Sequence, residues 1–346
     1  MRAQAITLSW LATLTMAGVS CAPSVEEPSV TSAAPDTSSY TPPSVTPESR
    51  DLEQADIERL MEELSNWGRW GPDDQIGTMN LVTPEKRTAA ATLVREGISV
   101  SLAQDVLKVE AVDNPSPFEH TMRSVGSDAF GVSYHGWAHT HLDALAHVSY
   151  ADGVMYNHYL PDESTVMAAG GHARNSIHNL KSGVFTRGIL MDIPRLKGVP
   201  YLEPETPIYI EDLEAWEREA GVRVTAGDAL FIRTGRWAAR EELGPFRIGR
   251  TGRSAGLHPS VIPWLRERDI AVLGSDVALA VAPSELPGAA HDFALVILGL
   301  HLFDNCNLEA LADTAAAQAR WEFLLTAAPL AVEGGTGSPI NPIATF

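Results

Sequence analysis

The chain has 346 residues, enough for one large domain or two ordinary ones, and 45% of them are hydrophobic, so it can bury a substantial core. Its formal net charge at pH 7 is −19, and the sequence contains no block of basic residues. Because nucleic-acid binding needs lysines and arginines that neutralise phosphates, this composition argues against a nucleic-acid partner. It does not select a substrate.

The N-terminus has the pattern of an export signal. Arg2 precedes a mostly apolar run, Ile6 to Gly18, which is too short to span a bilayer but suits the core of a signal peptide. The small residues before Cys21 resemble a bacterial lipobox. We therefore expect residues 1–20 to be a signal peptide and Cys21 to be lipidated after export, anchoring the protein to the bacterial cell envelope. Since Gly18 stands where a lipobox prefers Leu, simple cleavage of the signal is the alternative.

The next segment, residues 21–50, has the composition of a tether. Residues 22–50 include 6 Pro, 7 Ser and 4 Thr. Such a stretch cannot bury enough apolar surface to offset the entropy lost on ordering. We expect a flexible connection to a folded domain spanning residues 51–346. If Cys21 is lipidated, Cys306 has no partner for an intramolecular disulfide.

Helix signals follow in chain order. An apolar stripe from Leu52 to Leu64 predicts the first helix. Thr83 predicts an N-cap with Pro84 as the first helical residue, and Gly97 predicts the end of that helix. Two later patterns predict helices over Glu211–Ala220 and Pro259–Arg268.

Short β-branched runs between these helices predict buried strands. They are Ile98–Leu102, Val184–Ile193, Ala229–Thr234 and Ile270–Leu273. The sequence has no fixed-period repeat and no glycine-rich phosphate loop. Strands mixed with separated helices, without strict alternation, predict one compact α/β domain with a mixed sheet.

The densest group of metal-ligand side chains lies at residues 139–147. His139, His141 and Asp143 alternate with two other residues, and in a strand this spacing directs all three side chains to one face. Two imidazoles and a carboxylate are a common partial shell for zinc or manganese. His147 follows four residues later, where a turn would bring it back as a proton carrier. The pattern predicts a metal-dependent site.

Other histidines give weaker signals. His291 and Asp304 bracket an apolar stretch and are a second candidate metal-binding pair, although a histidine at an element start and an aspartate in a turn would look the same. His135 shares strand parity with the cluster at residues 139–147. The remaining histidines lack comparable spacing, and we expect most of them to be surface or packing residues; they lie at positions 120, 158, 172, 178, 258 and 301.

Several segments together resemble the cyclase family of metal-dependent hydrolases, which includes bacterial kynurenine formamidase and isatin hydrolase. The family signature is His-x-Gly-Thr-His-x-Asp-x-Pro-x-His, and residues 137–147 read Trp-Ala-His-Thr-His-Leu-Asp-Ala-Leu-Ala-His. The similarity extends over about residues 66–313. Further matching segments lie at residues 70–77, 188–192, 227–235, 274–276 and 291–304.

The resemblance implies a swivelling β/β/α fold, a homo-oligomer, a divalent metal and hydrolysis of an amide, formamide, lactam or lactone. It implies that His141 and Asp143 are metal ligands and that His147 is the catalytic histidine. It also implies that His291 occupies the position that binds the second ion in family members with two metals.

The chain departs from the signature at three positions. Trp137 stands where the family has its first His ligand, and His139 stands at the Gly position, so His139 is the candidate replacement ligand. Leu145 replaces the Pro. Asp304 stands in for the family's downstream Glu ligand, one residue later. Trp137, beside the ligands, is a candidate for contact with a planar substrate or else a core aromatic.

The sequence therefore predicts a metal-dependent hydrolase of a small molecule. The alternative is a non-catalytic metal-binding or solute-binding lipoprotein on the same fold. A structural envelope protein that has lost the ion is a further alternative.

Overall fold

The computed structural model describes residues 50–249, 252–284, 286 and 289–346. The expected signal peptide, Cys21 and all but the last residue of the expected tether lie outside the described residues. Within the described part of the chain, no helix has both the length and the apolar character needed to cross a membrane.

Nine α-helices form within the described residues. They are α1 (Gln54–Leu64), α2 (Pro84–Ala91), α3 (Glu163–Ala169), α4 (Ile193–Lys197), α5 (Ile210–Ala220), α6 (Arg236–Leu243), α7 (Ile262–Arg268), α8 (Ala289–Asp292) and α9 (Glu309–Gln318). A π-helical segment, Phe293–Leu298, continues directly from α8. Short 3₁₀ turns occupy Gly77–Leu81, Ala151–Gly153, Tyr156–His158, Ile177–Leu180 and Pro259–Val261.

Thirteen strands form in the same residues. They are β1 (Ser99–Ser101), β2 (Glu119–Ser124), β3 (Ser127–Gly131), β4 (His141–Asp143), β5 (Val184–Asp192), β6 (Pro207–Ile208), β7 (Ala229–Arg233), β8 (Gly256–Leu257), β9 (Val272–Ser275), β10 (His301–Asp304), β11 (Glu322–Ala327), β12 (Gly337–Pro339) and β13 (Ile343–Thr345). Nine of them make one sheet in the order β1-β13-β11-β5-β7-β9-β10-β4-β12. Its centre, β5 to β10, is parallel, and the flanking pairs are antiparallel. The predicted α/β domain with a mixed sheet is therefore confirmed.

Most local predictions agree with these elements, but the end of α2 and the start of β4 do not. Helix α2 begins as predicted, since the Thr83 side chain accepts a hydrogen bond from the Lys86 amide and Pro84 is the first helical residue. The predicted end at Gly97 is wrong, because α2 stops at Ala91. The chain turns after Ala91 through the backbone bonds of Thr92 and only then passes through Gly97, whose φ is +71°.

The central strands of the sheet are buried on both faces because their successive side chains point alternately into two cores. Ile189 and Met191 of β5 pack in the first core, with the π-helical segment, and Leu190 packs in the second. Leu142 of β4 and its register partner Phe303 of β10 also belong to the second core. Side chains alternate along a strand, so the neighbouring positions on β4 and β10 face the first core.

That geometry brings polar side chains from distant parts of the chain to one point. His141 and Asp143 share a face of β4, and Asp304 of β10 lies directly opposite His141 in the antiparallel register. Helix α8 supplies His291 to the same face just before the π-helical segment begins. The two adjacent strands and one helix end thus build a polar centre inside an otherwise apolar layer.

Candidate metal centre

Asp143 is the centre of the site. The residue is fully buried, and its carboxylate oxygens accept no hydrogen bond of regular geometry. A buried ionised carboxylate is costly unless well-aligned donors, a positive charge or a metal compensates it. The nearest imidazole nitrogens to its oxygens are Nδ1 of His135 at 3.0 Å, Nε2 of His141 at 3.3 Å, Nε2 of His291 at 3.4 Å and Nε2 of His147 at 4.0 Å.

Two groups of candidate ligand atoms share this carboxylate. One comprises His135, Asp143 and His147, and the other comprises His141, Asp143 and Asp304; within each group the ligand atoms lie within 4.8 Å of one another. His291 lies beside the second group, with its Nε2 3.5 Å from Oδ2 of Asp304. Imidazole nitrogens and carboxylate oxygens are the donors that zinc and manganese accept. The donor set fits a divalent cation.

Neighbouring groups orient the imidazoles. Nδ1 of His141 lies 2.8 Å from the carbonyl oxygen of His139, and since a carbonyl only accepts, this nitrogen donates and Nε2 faces Asp143. Nε2 of His135 lies 2.9 Å from Oγ1 of Thr336, leaving Nδ1 toward Asp143. Such contacts to the second ring nitrogen are the usual means of orienting a metal-binding histidine.

Burial and nearby carboxylates shift the pKa values of three imidazoles in the site. Burial by itself would lower the pKa of His141, but the carboxylates of Asp143 and Asp304 outweigh it and raise that pKa to about 9. Likewise, burial opposes charge on His291, but nearby carboxylates raise its pKa well above the usual value. His147 differs, because burial lowers its pKa to about 4 despite the proximity of Asp143. The centre therefore favours positive charge on His141 and His291, whereas the imidazole of His147 is neutral.

The centre opens into a cavity of about 370 Å³. Part of the wall is polar and consists of His135, His141, His147 and His291 together with Asp292 and Asp304. Much of the remaining wall is apolar; it includes Trp137, Val148, Ile248, Ala278, Ala280, Val281 and Ala282. The Trp137 ring lies against Gly249, where a β-carbon would come within 2.2 Å of the ring. A small molecule in the cavity would contact both the candidate centre and this wall.

The structure brings most of the sequence-predicted site residues together. His141, Asp143, His291 and Asp304 meet at the centre, His147 returns to it through the turn that follows β4, and Trp137 lines the cavity. Cys21 lies outside the described residues.

His139 lies apart from both ligand groups. It occupies a bend before β4 begins at His141, so the alternation assumed for a strand does not extend to it. Its Nε2 lies 3.3 Å from the carbonyl oxygen of Ser116, and its ring lies edge-on to Phe118.

Two histidines near the centre were not among the predicted ligands. His135 stacks on His147, with ring centroids 3.8 Å apart and planes 1° from parallel, and its strand parity was the only sequence signal. Buried His301 of β10 lies beneath the centre, with Nδ1 3.0 Å from the backbone oxygen of Asp143. No spacing in the sequence distinguishes His301 from a packing histidine.

The fold and the site define the class: an α/β protein with a buried carboxylate–imidazole centre beside a cavity. The family model described as "Putative cyclase" matches residues 98–280, which is more than half of the chain. The protein therefore belongs to the cyclase family.

Individual relatives agree with this membership. The crystal structure of a novel cyclase is 33% identical, with a TM-score of 0.75, and the match covers 83% of this chain and 99% of that one. Isatin hydrolase from Roseibium aggregatum is 33% identical over 151 residues, which are 41% of this chain and 53% of the relative. The match thus spans about half the length of that relative. Isatin hydrolase A from Labrenzia aggregata bound to benzyl benzoate has 20% identity and a TM-score of 0.50, with 74% of this chain and 94% of that one covered, and shows the fold alone.

Proposed function

We propose that this protein is a metal-dependent hydrolase of a small amide, formamide, lactam or lactone, with zinc or manganese as its ion. The observation that carries the proposal is the Asp143 carboxylate, buried among four imidazoles at the end of a cavity and without a hydrogen bond of regular geometry. Membership of the cyclase family and the similarity to an isatin hydrolase support the reaction class.

Residues of both candidate groups would hold the ion. Asp143 is common to both groups, His141 belongs to one of them, and His135 in the other supplies a nitrogen that the signature position at Trp137 lacks. His291, which lies near both Asp143 and Asp304, would supply a further nitrogen for a second ion. When bound, such an ion lowers the pKa of coordinated water toward about 7 and polarises a carbonyl oxygen.

His147 is the proton carrier in this proposal. Its ring is neutral at pH 7 because burial lowers its pKa, and it lines the cavity, so Nε2 is able to accept a proton from the attacking water. The same atom then returns the proton to the leaving nitrogen or oxygen. The ring of Trp137 contacts the substrate on the apolar side, and the cavity volume suits a small molecule.

The proposal is tested by elemental analysis of the purified protein after dialysis, followed by a hydrolysis screen. We expect one or two zinc or manganese ions per chain and turnover of at least one formamide, lactam or lactone. One ion would indicate a mononuclear centre, and two would assign His291 and Asp304 as ligands. Absence of bound ion under metal-replete conditions would refute the hydrolase mechanism.

A matched pair of variants compares His135 and His139, the two candidates for the ligand that replaces the family's first His. His135→Ala removes a nitrogen 3.0 Å from Asp143, and we expect the affinity for Zn²⁺ to fall by about 100-fold or more, since even the loss of indirect supporting contacts costs 10- to 100-fold. His139→Ala removes a side chain outside both ligand groups and should leave the affinity within about threefold, because the carbonyl that orients His141 is retained.

Chelator competition measures both affinities. A larger loss in the His139 variant than in the His135 variant would reverse this assignment.

A further inference from the structure

A buried arginine lies beneath the bend that leads into β4. Arg236 is the first residue of α6, and its side chain is 1% exposed. Its Nη2 donates to the carbonyl oxygen of Trp137, and its Nη1 lies 3.3 Å from Oδ1 of Asn305. Asn305, also buried, donates from Nδ2 to the carbonyl oxygen of Gly136 at 2.7 Å and more weakly to that of His139 at 3.4 Å. Together the two side chains bind three carbonyls of one short bend.

Carboxylates on other elements hold Arg236 in place. The buried Asp276 accepts hydrogen bonds from the backbone amides of Thr234, Gly235 and Arg236, and so secures the start of α6. Asp113, also buried, lies 3.5 Å from the Arg236 guanidinium. Of these residues, Thr234 and Gly235 belong to segment 227–235 and Asp276 belongs to segment 274–276. Neither segment contributes a ligand to the candidate centre.

The bend connects Arg236 to the centre in two ways. The Trp137 carbonyl bound by Arg236 belongs to the residue whose ring forms the cavity wall. The His139 carbonyl bound by Asn305 is the acceptor for Nδ1 of His141, and this hydrogen bond aims Nε2 at Asp143. A displacement of the bend would therefore rotate the His141 ring and move the wall together.

We propose that Arg236 is a positioning residue that, with Asn305, holds the bend at residues 136–139 and thereby sets the direction of the His141 ring and the position of Trp137. The inference rests on the proposed function, because it concerns the same centre. The planar guanidinium is suited to this role, since its fork binds two acceptors at once, which a lysine ammonium on a flexible stem does less well.

The test compares Arg236→Gln with a matched control, Arg240→Gln. Arg240 lies one turn further along α6 and binds the same Asp113 carboxylate, at 2.6 Å, with no described contact to residues 136–139. We expect Arg236→Gln to weaken Zn²⁺ binding about tenfold and Arg240→Gln to change it less than twofold, while both lower the unfolding temperature of the metal-free protein.

A second measurement does not require bound metal. In metal-free protein labelled with ¹⁵N-histidine, the hydrogen-bonded Nδ1–H resonance of His141 should be present in the parent and in Arg240→Gln, and lost or shifted in Arg236→Gln. Equal Zn²⁺ affinity and an unchanged resonance in Arg236→Gln would overturn the positioning role. If the parent itself bound no ion, the proposed function would fail, and the resonance would still decide the role of Arg236.

Arg236→Lys covers the case in which the glutamine variant does not fold. It keeps a positive charge near Asp113 but cannot bridge Trp137 and Asn305 in the same plane. We expect a folded protein with Zn²⁺ affinity reduced severalfold and a shifted Nδ1–H resonance. Parent-like values for both would contradict the proposal.

Discussion

Asp143→Ala should abolish hydrolysis and remove the bound ion. Both candidate ligand groups depend on this carboxylate, so no complete group remains without it. Because an ion at such a centre supplies several kcal/mol of transition-state stabilisation, we expect kcat to fall by about 10³-fold or more. Elemental analysis and steady-state kinetics on the same preparation measure the two losses together.

Asp192→Asn is the control for this loss. Asp192 is likewise a buried carboxylate, but it binds Arg195 and Arg233 and lies outside both ligand groups. This variant should keep its ion and most of its activity. Stoichiometric ion and normal turnover in Asp143→Ala would contradict the proposed centre.

His147→Ala should lower kcat by about 10² to 10⁴ while the ion remains bound. The reason is the loss of the proton carrier at Nε2, whose contribution to the rate is typically of this size. His147→Gln retains a polar group of similar reach but cannot carry the proton, so it should show the same loss. Kinetics with the best substrate from the screen, together with metal analysis, measure the effect.

The two readouts separate the possible roles of His147. Its Nε2 lies 4.0 Å from Asp143, close enough to belong to a ligand group. Loss of the ion in His147→Ala would make this residue a ligand. Full turnover with the ion retained would exclude a role in proton transfer.

The buried elements could be predicted from the sequence because their cause is local. The mostly apolar runs at residues 184–193 and 229–234 contain the central strands β5 and β7, since a strand buried on both faces is largely apolar. The alternation of His141 and Asp143 was sufficient to put both on one face of a strand. The mixed sheet followed from the irregular order of strand and helix signals.

The local pattern was insufficient where the chain departs from regular structure. The strand was expected to include His139, but it begins at His141, and the preceding bend depends on contacts with Arg236 and Asn305 made across long sequence separations. For the same reason, no spacing identified His135 as the imidazole that would approach Asp143.

The sequence by itself therefore determined the fold class, the family resemblance and the residue types of the centre. Only the tertiary structure decided which imidazoles meet. Asp304 lies opposite His141 through strand pairing, and α8 carries His291 to the same carboxylate. The periodicity of a sequence predicts the face on which a side chain lies. The distance between two side chains on different elements depends on packing and register, which no local pattern encodes.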